Sequence, residues 1–422
     1  MPRLSFPWRF CLGMLVILGG LWLLLAHQWS HRLNPAYRFL YRKMEIYQPP
    51  AWKTIPPPRT QLPSRETIPP PRTPAGGRAR ESQKPQRSQQ AALSGDEYSQ
   101  EDSDSGCPRP QWARLNGTGL EGSILGSVPV LQWSRHASPG QYERLRHYHG
   151  SYGWGEIDRD VVLESLSLLN SSANGCLLDD RAGRPRARCA VVGNGGILCG
   201  ARVGAQIDGH HYVFRTNGAI TKGFEQDVGN RTSFFIFSTN TLMNSLYSYR
   251  RHSFLSPPQS PETRYVFLPE HDRDYLLLQA AIKRRPVDRG KDRLARPERF
   301  FGPDLKPEKF KMLHPDFMRY LKNRLLPSKH AGLRIYRQST GATMLLAALH
   351  TCDEVSAYGF ITPNYARFSD HYFDGTPQRV VFYSNHDLRL EMELWQRLHQ
   401  AGLIRLLMRE PEILPSGPAA AG

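Results

Sequence analysis

Two histidines late in the chain are the residues best suited to proton chemistry: His371 in His371-Tyr-Phe-Asp374, and His386 in His386-Asp-Leu-Arg-Leu-Glu391. Imidazole titrates near neutrality. One ring can therefore take a proton from a hydroxyl while the other, protonated, steadies a departing phosphate. Two further segments suit an anion. Ala190-Val-Val-Gly-Asn-Gly-Gly196 runs an apolar stretch into a glycine turn, where backbone N–H groups approach a phosphate with no Cβ in the way. It is not the dinucleotide fingerprint, because Leu198 stands where the third glycine would fall. Ser339-Thr-Gly-Ala-Thr-Met344 opens a helical run to Leu349. Its first turn offers free N–H groups and the positive end of the helix dipole, although ordinary N-capping would use the same residues. Asp272-Arg-Asp274 competes with this reading: such a pair could hold Mn²⁺ or Mg²⁺ on a nucleotide diphosphate. Short acidic triplets arise easily by chance, and Asp102-Ser-Asp104 is a second one in a polar stretch.

These groups need a frame. Short apolar runs recur at Cys189–Val192, Tyr212–Phe214, Ser233–Phe237, Tyr265–Leu268, Val355–Tyr358 and Val380–Tyr383. Helical spacing appears at Val161–Asn170, Met344–Leu349 and Leu388–Leu398. Continuous apolar strands alternating with helices predict an α/β fold, a mostly parallel central sheet covered on both faces. In such sheets a ligand binds beyond the carboxyl ends of the strands. The glycine turn and the segments after Val355–Tyr358 fall there.

The 422 residues suffice for one large domain plus accessory segments, and the formal charge is +17. That field attracts anions without naming them; nucleic acid, an acidic membrane surface and a nucleotide-sugar all remain open. Residues 10–26 are nearly all apolar and uncharged. They are followed by His27-Gln28-Trp29 rather than a small-residue cleavage site, so they read as an uncleaved anchor, with residues 1–9 as a tail. Residues 27–106 read as a stem. They repeat Thr-Ile-Pro-Pro-Pro-Arg-Thr at Thr54 and Thr67, and triple prolines favour extended polyproline II. Residues 107–422 are the expected catalytic domain. The sequons at Asn116, Asn170 and Asn230 fit a lumenal side. None of the six cysteines forms a CxxC pair, which disfavours a zinc ribbon. Beyond Cys11 the remaining five are dispersed, as for long-range disulfides with one thiol left over.

Taken together and in order, these segments resemble the sialyl motifs of the animal sialyltransferases. The large motif is matched from Cys189 through Val213-Phe-Arg-Thr-Asn-Gly218 to about Phe237, and the small motif from Ser339-Thr-Gly through Cys352 to Tyr358-Gly-Phe360. The third is matched by His371-Tyr-Phe-Asp374 and the very small motif by His386 with Glu391. Ser151-Tyr-Gly-Trp154, Leu313-His-Pro-Asp-Phe317 and Phe368-Ser-Asp-His-Tyr372 lean toward the N-acetylgalactosaminide α-2,6-sialyltransferases of types I and II. The resemblance implies a Rossmann-like sheet, the GT-A variant of sialyltransferases, in a Golgi membrane enzyme. That enzyme would transfer sialic acid from CMP-sialic acid to the 6-hydroxyl of GalNAc on O-glycosylated proteins. No metal or other cofactor and no nucleic-acid partner is expected. Asn194, Asn217, Ser339, Thr340, Gly341, Gly359 and Phe360 would hold the donor. His371 would stabilise the leaving phosphate, His386 would be the general base, and Glu391 would support the helix that follows it. Cys189–Cys352 would join the large and small motifs. Cys107–Cys176 is the expected second bridge, leaving Cys199 unpaired.

Overall fold

The structure is a computed structural model, and it describes residues 97–100, 107, 110, 115–180, 186–333 and 335–410. The expected tail, the anchor at 10–26 and the proline repeats lie outside the described residues. The described residues fall within one compact unit, Arg87–Gly422.

Eight strands form one sheet in the order β1-β6-β5-β4-β3-β2-β7-β8. They are β1 (Leu131–Gln132), β2 (Arg188–Val192), β3 (Tyr212–Thr216), β4 (Phe234–Phe237), β5 (Arg264–Phe267), β6 (Phe310–Leu313), β7 (Glu354–Tyr358) and β8 (Arg405–Leu406). Every pairing is parallel except β1 with β6. The principal helices are α1 (Pro139–Leu145), α2 (Arg159–Leu168), α3 (Thr239–Ser248), α4 (Asp272–Ile282), α5 (Pro315–Tyr320), α6 (Thr340–Thr351) and α7 (Leu388–Gln400).

Strand side chains alternate between two cores, as the pleat requires. Cys189, Val191, Phe214, Phe234 and Ile236 face α5, α6 and α7. Ala190, Val192, Val213, Phe235 and Phe237 face α2, α3 and α4. Helix α6 is apolar around its whole circumference, and Ala342 to Thr351 are all buried. Each fully buried Leu or Phe contributes roughly 1.5–3 kcal/mol through removal from water.

Val380–Tyr383 is not a strand. It is an exposed stretch without ladder pairing, and Val381, Phe382 and Tyr383 remain 39–47% exposed. Its apolar run carries no alternation, so nothing in the pattern separated it from a buried strand. Strands β1, β6 and β8 were not anticipated. Residues 97–100, assigned to the stem, are seated on the folded unit. Ser99 N–H donates to Asp316 Oδ2 (2.8 Å), Arg144 donates to Ser99 Oγ (2.8 Å) and Arg319 donates to the Glu97 carbonyl.

Strands β2 to β6 extend to one side of β2, whereas β7 and β8 lie on the other. The chain therefore reverses its winding between β2 and β7, and the loops leaving their carboxyl ends diverge to form a crevice. The disulfide Cys189–Cys352 ties the start of β2 to the end of α6. Helix α6 thus runs back along the sheet, and its amino terminus lies at the carboxyl edge of the strands.

Candidate active site

The glycine turn after β2 and the turn after β7 are joined by backbone. Gly193 N–H donates to Tyr358 O (2.8 Å) and Gly195 N–H to Gly359 O (3.0 Å), which carries the β2–β7 ladder beyond the sheet. A Cβ on Gly193 or Gly195 would lie 2.7 Å from the Gly359 carbonyl oxygen, so only glycine allows this approach. Gly359 itself has φ +70°, in the left-handed region. The chain of 371–372 then lies along the same turn: His371 bridges Gly195, and Tyr372 N–H donates to Asn194 O (3.1 Å). The Asn194 amide donates to Thr216 O at the end of β3 (3.3 Å). Asn217 follows at φ +54°, a conformation asparagine tolerates better than most residues.

The His371 ring stacks on Phe373 at 5.0 Å. Its Nδ1 lies 3.5 Å from Asp370 and 3.7 Å from Asp374, so an imidazolium here is compensated by two carboxylates. Asp374 is fixed in turn by the Ser369 hydroxyl and the His371 N–H.

The amino terminus of α6 forms the other half. Ser339 Oγ accepts from Ala342 N–H (3.0 Å) and donates to Glu391 Oε2 (2.7 Å), while Ser339 N–H donates to Glu391 Oε1 (2.8 Å). The serine is therefore fully engaged as a cap. Thr340 and Gly341 carry the first-turn N–H groups that this cap leaves for an anion. Gly341 faces the Phe360 ring, which a Cβ would meet at 3.6 Å. Burial pushes the Glu391 carboxyl up to about 7, against the two Ser339 hydrogen bonds that favour its charged form. Glu391 thus does more than support its own helix, because it binds α7 to the cap of α6.

His386 lies just before α7. Its Nδ1 meets the Arg337 carbonyl at 2.9 Å. A carbonyl only accepts, so Nδ1 carries the proton and Nε2 bears the lone pair, with the Asn385 amide Nδ2 as a long donor at 3.5 Å. Burial drives its pKa down to about 4, an effect the Arg337 carbonyl opposes. The ring is consequently neutral near pH 7, the form a general base requires.

A cleft of about 150 Å³ opens beside the glycine turn and the turn after β7, lined by Gly195, Gly196, Phe360, Thr362, Asp370 and Leu388, among others. The lining includes Asp370, next to His371, and Leu388, two residues past His386, but neither imidazole itself. Sequence reasoning missed Arg337 as the partner of His386. It also missed Glu270, which is buried beyond the carboxyl end of β5 and ion-paired with Arg337. That position at a strand end was the available clue.

The Asp272-Arg-Asp274 pair serves structure. Asp274 accepts from the N–H groups of Thr239, Glu270 and His271, and Arg273 pairs with Asp292. Both expected bridges, Cys189–Cys352 and Cys107–Cys176, are closed, and Cys199 is an exposed free thiol. Asn116, Asn170 and Asn230 are all exposed.

The model of glycosyltransferase family 29 (sialyltransferase) matches residues 131–403, well over half the chain. The chain belongs to glycosyltransferase family 29. It is a glycosyltransferase of the sialyltransferase family. Similar relatives include alpha-N-acetylgalactosaminide alpha-2,6-sialyltransferase 2 of Homo sapiens, 50% identical over 289 residues, covering 67% of this chain and 77% of that one. Alpha-N-acetylgalactosaminide alpha-2,6-sialyltransferase 1 of Homo sapiens is 42% identical over 299 residues, covering 69% of this chain and 50% of that one. In fold, the chain is similar to the crystal structure of a mammalian sialyltransferase in complex with Gal-beta-1-3GalNAc-ortho-nitrophenol. That match has a TM-score of 0.51 at 23% identity and covers 72% of this chain and 98% of that one.

Proposed function

We propose that this family 29 enzyme transfers sialic acid from CMP-sialic acid to the 6-hydroxyl of GalNAc in O-linked glycans. The acceptor follows from the names of the relatives that are 42–50% identical. The observation that carries the chemistry is His386: half-buried, neutral, and with its Nδ1 proton fixed on the Arg337 carbonyl, which leaves Nε2 unprotonated.

In this reading the CMP phosphate meets the glycine turn of Gly193–Gly195 and the N–H groups of Thr340 and Gly341. Asn194, Asn217, Gly359 and Phe360 shape the nucleotide pocket. The bond from the anomeric carbon to the phosphate oxygen breaks, and the sugar acquires oxocarbenium character. The acceptor 6-hydroxyl attacks from the opposite face, His386 Nε2 takes its proton, and the configuration inverts. His371, placed near Asp370 and Asp374, faces the departing phosphate and balances the charge that collects on it. No step needs a metal, because a monophosphate leaving group carries little charge to neutralise. The apolar run at 10–26 and the three exposed sequons support a single-pass type II protein of the Golgi membrane, with residues 107–422 in the lumen.

The test is linkage analysis of the product formed from CMP-sialic acid with a GalNAc-peptide and with a Galβ1,3GalNAc-peptide. A sialyl-α-2,6-GalNAc product from the first acceptor is expected. Exclusive use of the second, or attachment to galactose, overturns the proposal.

A further inference from the structure

The imidazole of His386 is oriented by a peptide, not by a carboxylate. Nδ1–H donates to Arg337 O (2.9 Å), while Arg337 N–H donates to Asn385 O (3.0 Å), so residue 337 holds both the His386 ring and the carbonyl of the peptide before it. A carbonyl fixes a ring only as well as its own peptide is fixed. Residues 336–338 belong to no helix or strand, so side chains must hold them. Tyr152 does part of this, its hydroxyl lying 3.3 Å from Tyr336 O and 3.1 Å from Gln338 Oε1. Gln338 Nε2 donates to Met318 O (3.1 Å). The remaining anchor is electrostatic: the Arg337 guanidinium is paired with Glu270. Glu270 is 5% exposed, and its N–H is fixed to Asp274 at the start of α4. Its Oε2 is buried with no hydrogen-bond partner among the described residues. Burying such a pair is a poor route to stability, since desolvation offsets most of the attraction. Its location, one residue from the imidazole of His386, gives it another use.

We propose that Glu270 and Arg337 are a positioning pair for His386. The carboxylate anchors the guanidinium, the anchored peptide holds Nδ1–H, and Nε2 is kept aimed at the acceptor hydroxyl. This rests on His386 being the base.

The experiment uses the full chain in detergent and compares E270Q, R337K, R337M and E270Q/R337M with wild type and H386A. CMP binding and melting temperature are measured for each. E270Q and R337M each lower kcat about 10- to 100-fold with the KM for CMP-sialic acid within twofold, and R337K recovers most of the loss. The double variant falls no further than the worse single, because the two residues act as one unit. The charged and titratable groups around His386 are Arg337, Glu270 behind it, Asp387, Glu391 and the Tyr152 and Tyr336 hydroxyls. Only the first pair changes in these variants. R337M removes a neighbouring positive charge, so the acid limb of kcat/KM moves to higher pH, whereas E270Q does not move it upward.

Additive losses, or a raised acceptor KM with unchanged kcat, overturn the pairing. Unchanged kcat in E270Q and R337M beside an inactive H386A overturns this inference alone. An active H386A overturns the base assignment beneath it. If R337M fails to fold, E270Q and R337K carry the same comparison.

Discussion

Replacing Glu391 by glutamine isolates one buried carboxyl whose cost depends on pH. In the fold this group titrates near 7, against an ordinary value of 4.5, because burial disfavours its charge more than Ser339 favours it. Between those values the folded chain holds a proton that the unfolded chain has lost, so stability falls as pH rises. The contribution is present in full below pH 4.5 and is lost as pH passes through about 7. The interval corresponds to about 3 kcal/mol at 1.36 kcal/mol per pH unit. A glutamine amide in its place cannot titrate and retains an acceptor for Ser339 N–H. Relative to wild type, Glu391→Gln therefore gains about 3 kcal/mol between pH 5 and pH 8, or roughly 6 °C in melting temperature for a domain of this size. Asp274, which burial raises to about 6, titrates in both proteins and cancels in the difference. Scanning calorimetry at pH 5, 6, 7 and 8 reads the effect. Parallel melting curves for the two proteins would show that Glu391 ionises as an exposed glutamate does, and the argument from burial would be wrong.

Three other outcomes are expected. His386→Ala lowers kcat roughly 100- to 10,000-fold while leaving CMP affinity intact, and turnover above a few per cent of wild type excludes His386 as the base. Replacing Cys189 and Cys352 together by alanine removes a cross-link between residues 163 apart, worth about 5 kcal/mol of chain entropy. A melting temperature within 2 °C of wild type by calorimetry would contradict this. A fragment beginning at residue 107 melts below one beginning at 95 by an amount equivalent to about 1–3 kcal/mol, since Asp316, Arg144 and Arg319 lose partners in Glu97 and Ser99. Equal melting of the two fragments would mean that residues 97–100 contribute nothing.

The candidate catalytic residues were legible because their chemistry is written in side chains: two histidines, a glycine turn and a capped helix keep their meaning without coordinates. What the sequence hid was relational. Ser339 and Glu391 are 52 residues apart, and nothing in either predicts that both serine donors end on one carboxylate. The partner of His386 is a backbone carbonyl, and a carbonyl leaves no mark in the residue type that bears it. Strand β6 was missed because Lys311 interrupts its apolar run. The fold buries that lysine, whose Nζ donates to Cys176 O (2.8 Å) and lies 3.6 Å from Asp179, while burial brings it down to about 8. Strands β1 and β8, two residues each, are too short to show periodicity. The Val380–Tyr383 run failed the other way, being strand-like in composition yet left in solvent between the two histidines.

The Cys189–Cys352 bond stands at the opposite edge of the sheet from the chemistry. The twelve residues of α6 separate it from the Ser339 cap, about 18 Å at 1.5 Å per residue. No sulfur needs to approach a substrate for its oxidation state to matter. A chain matured where thiols stay reduced would keep the β2–β7 ladder but lose the covalent tie between β2 and the end of α6. The stability of this protein thereby depends on whether its maturation was oxidative.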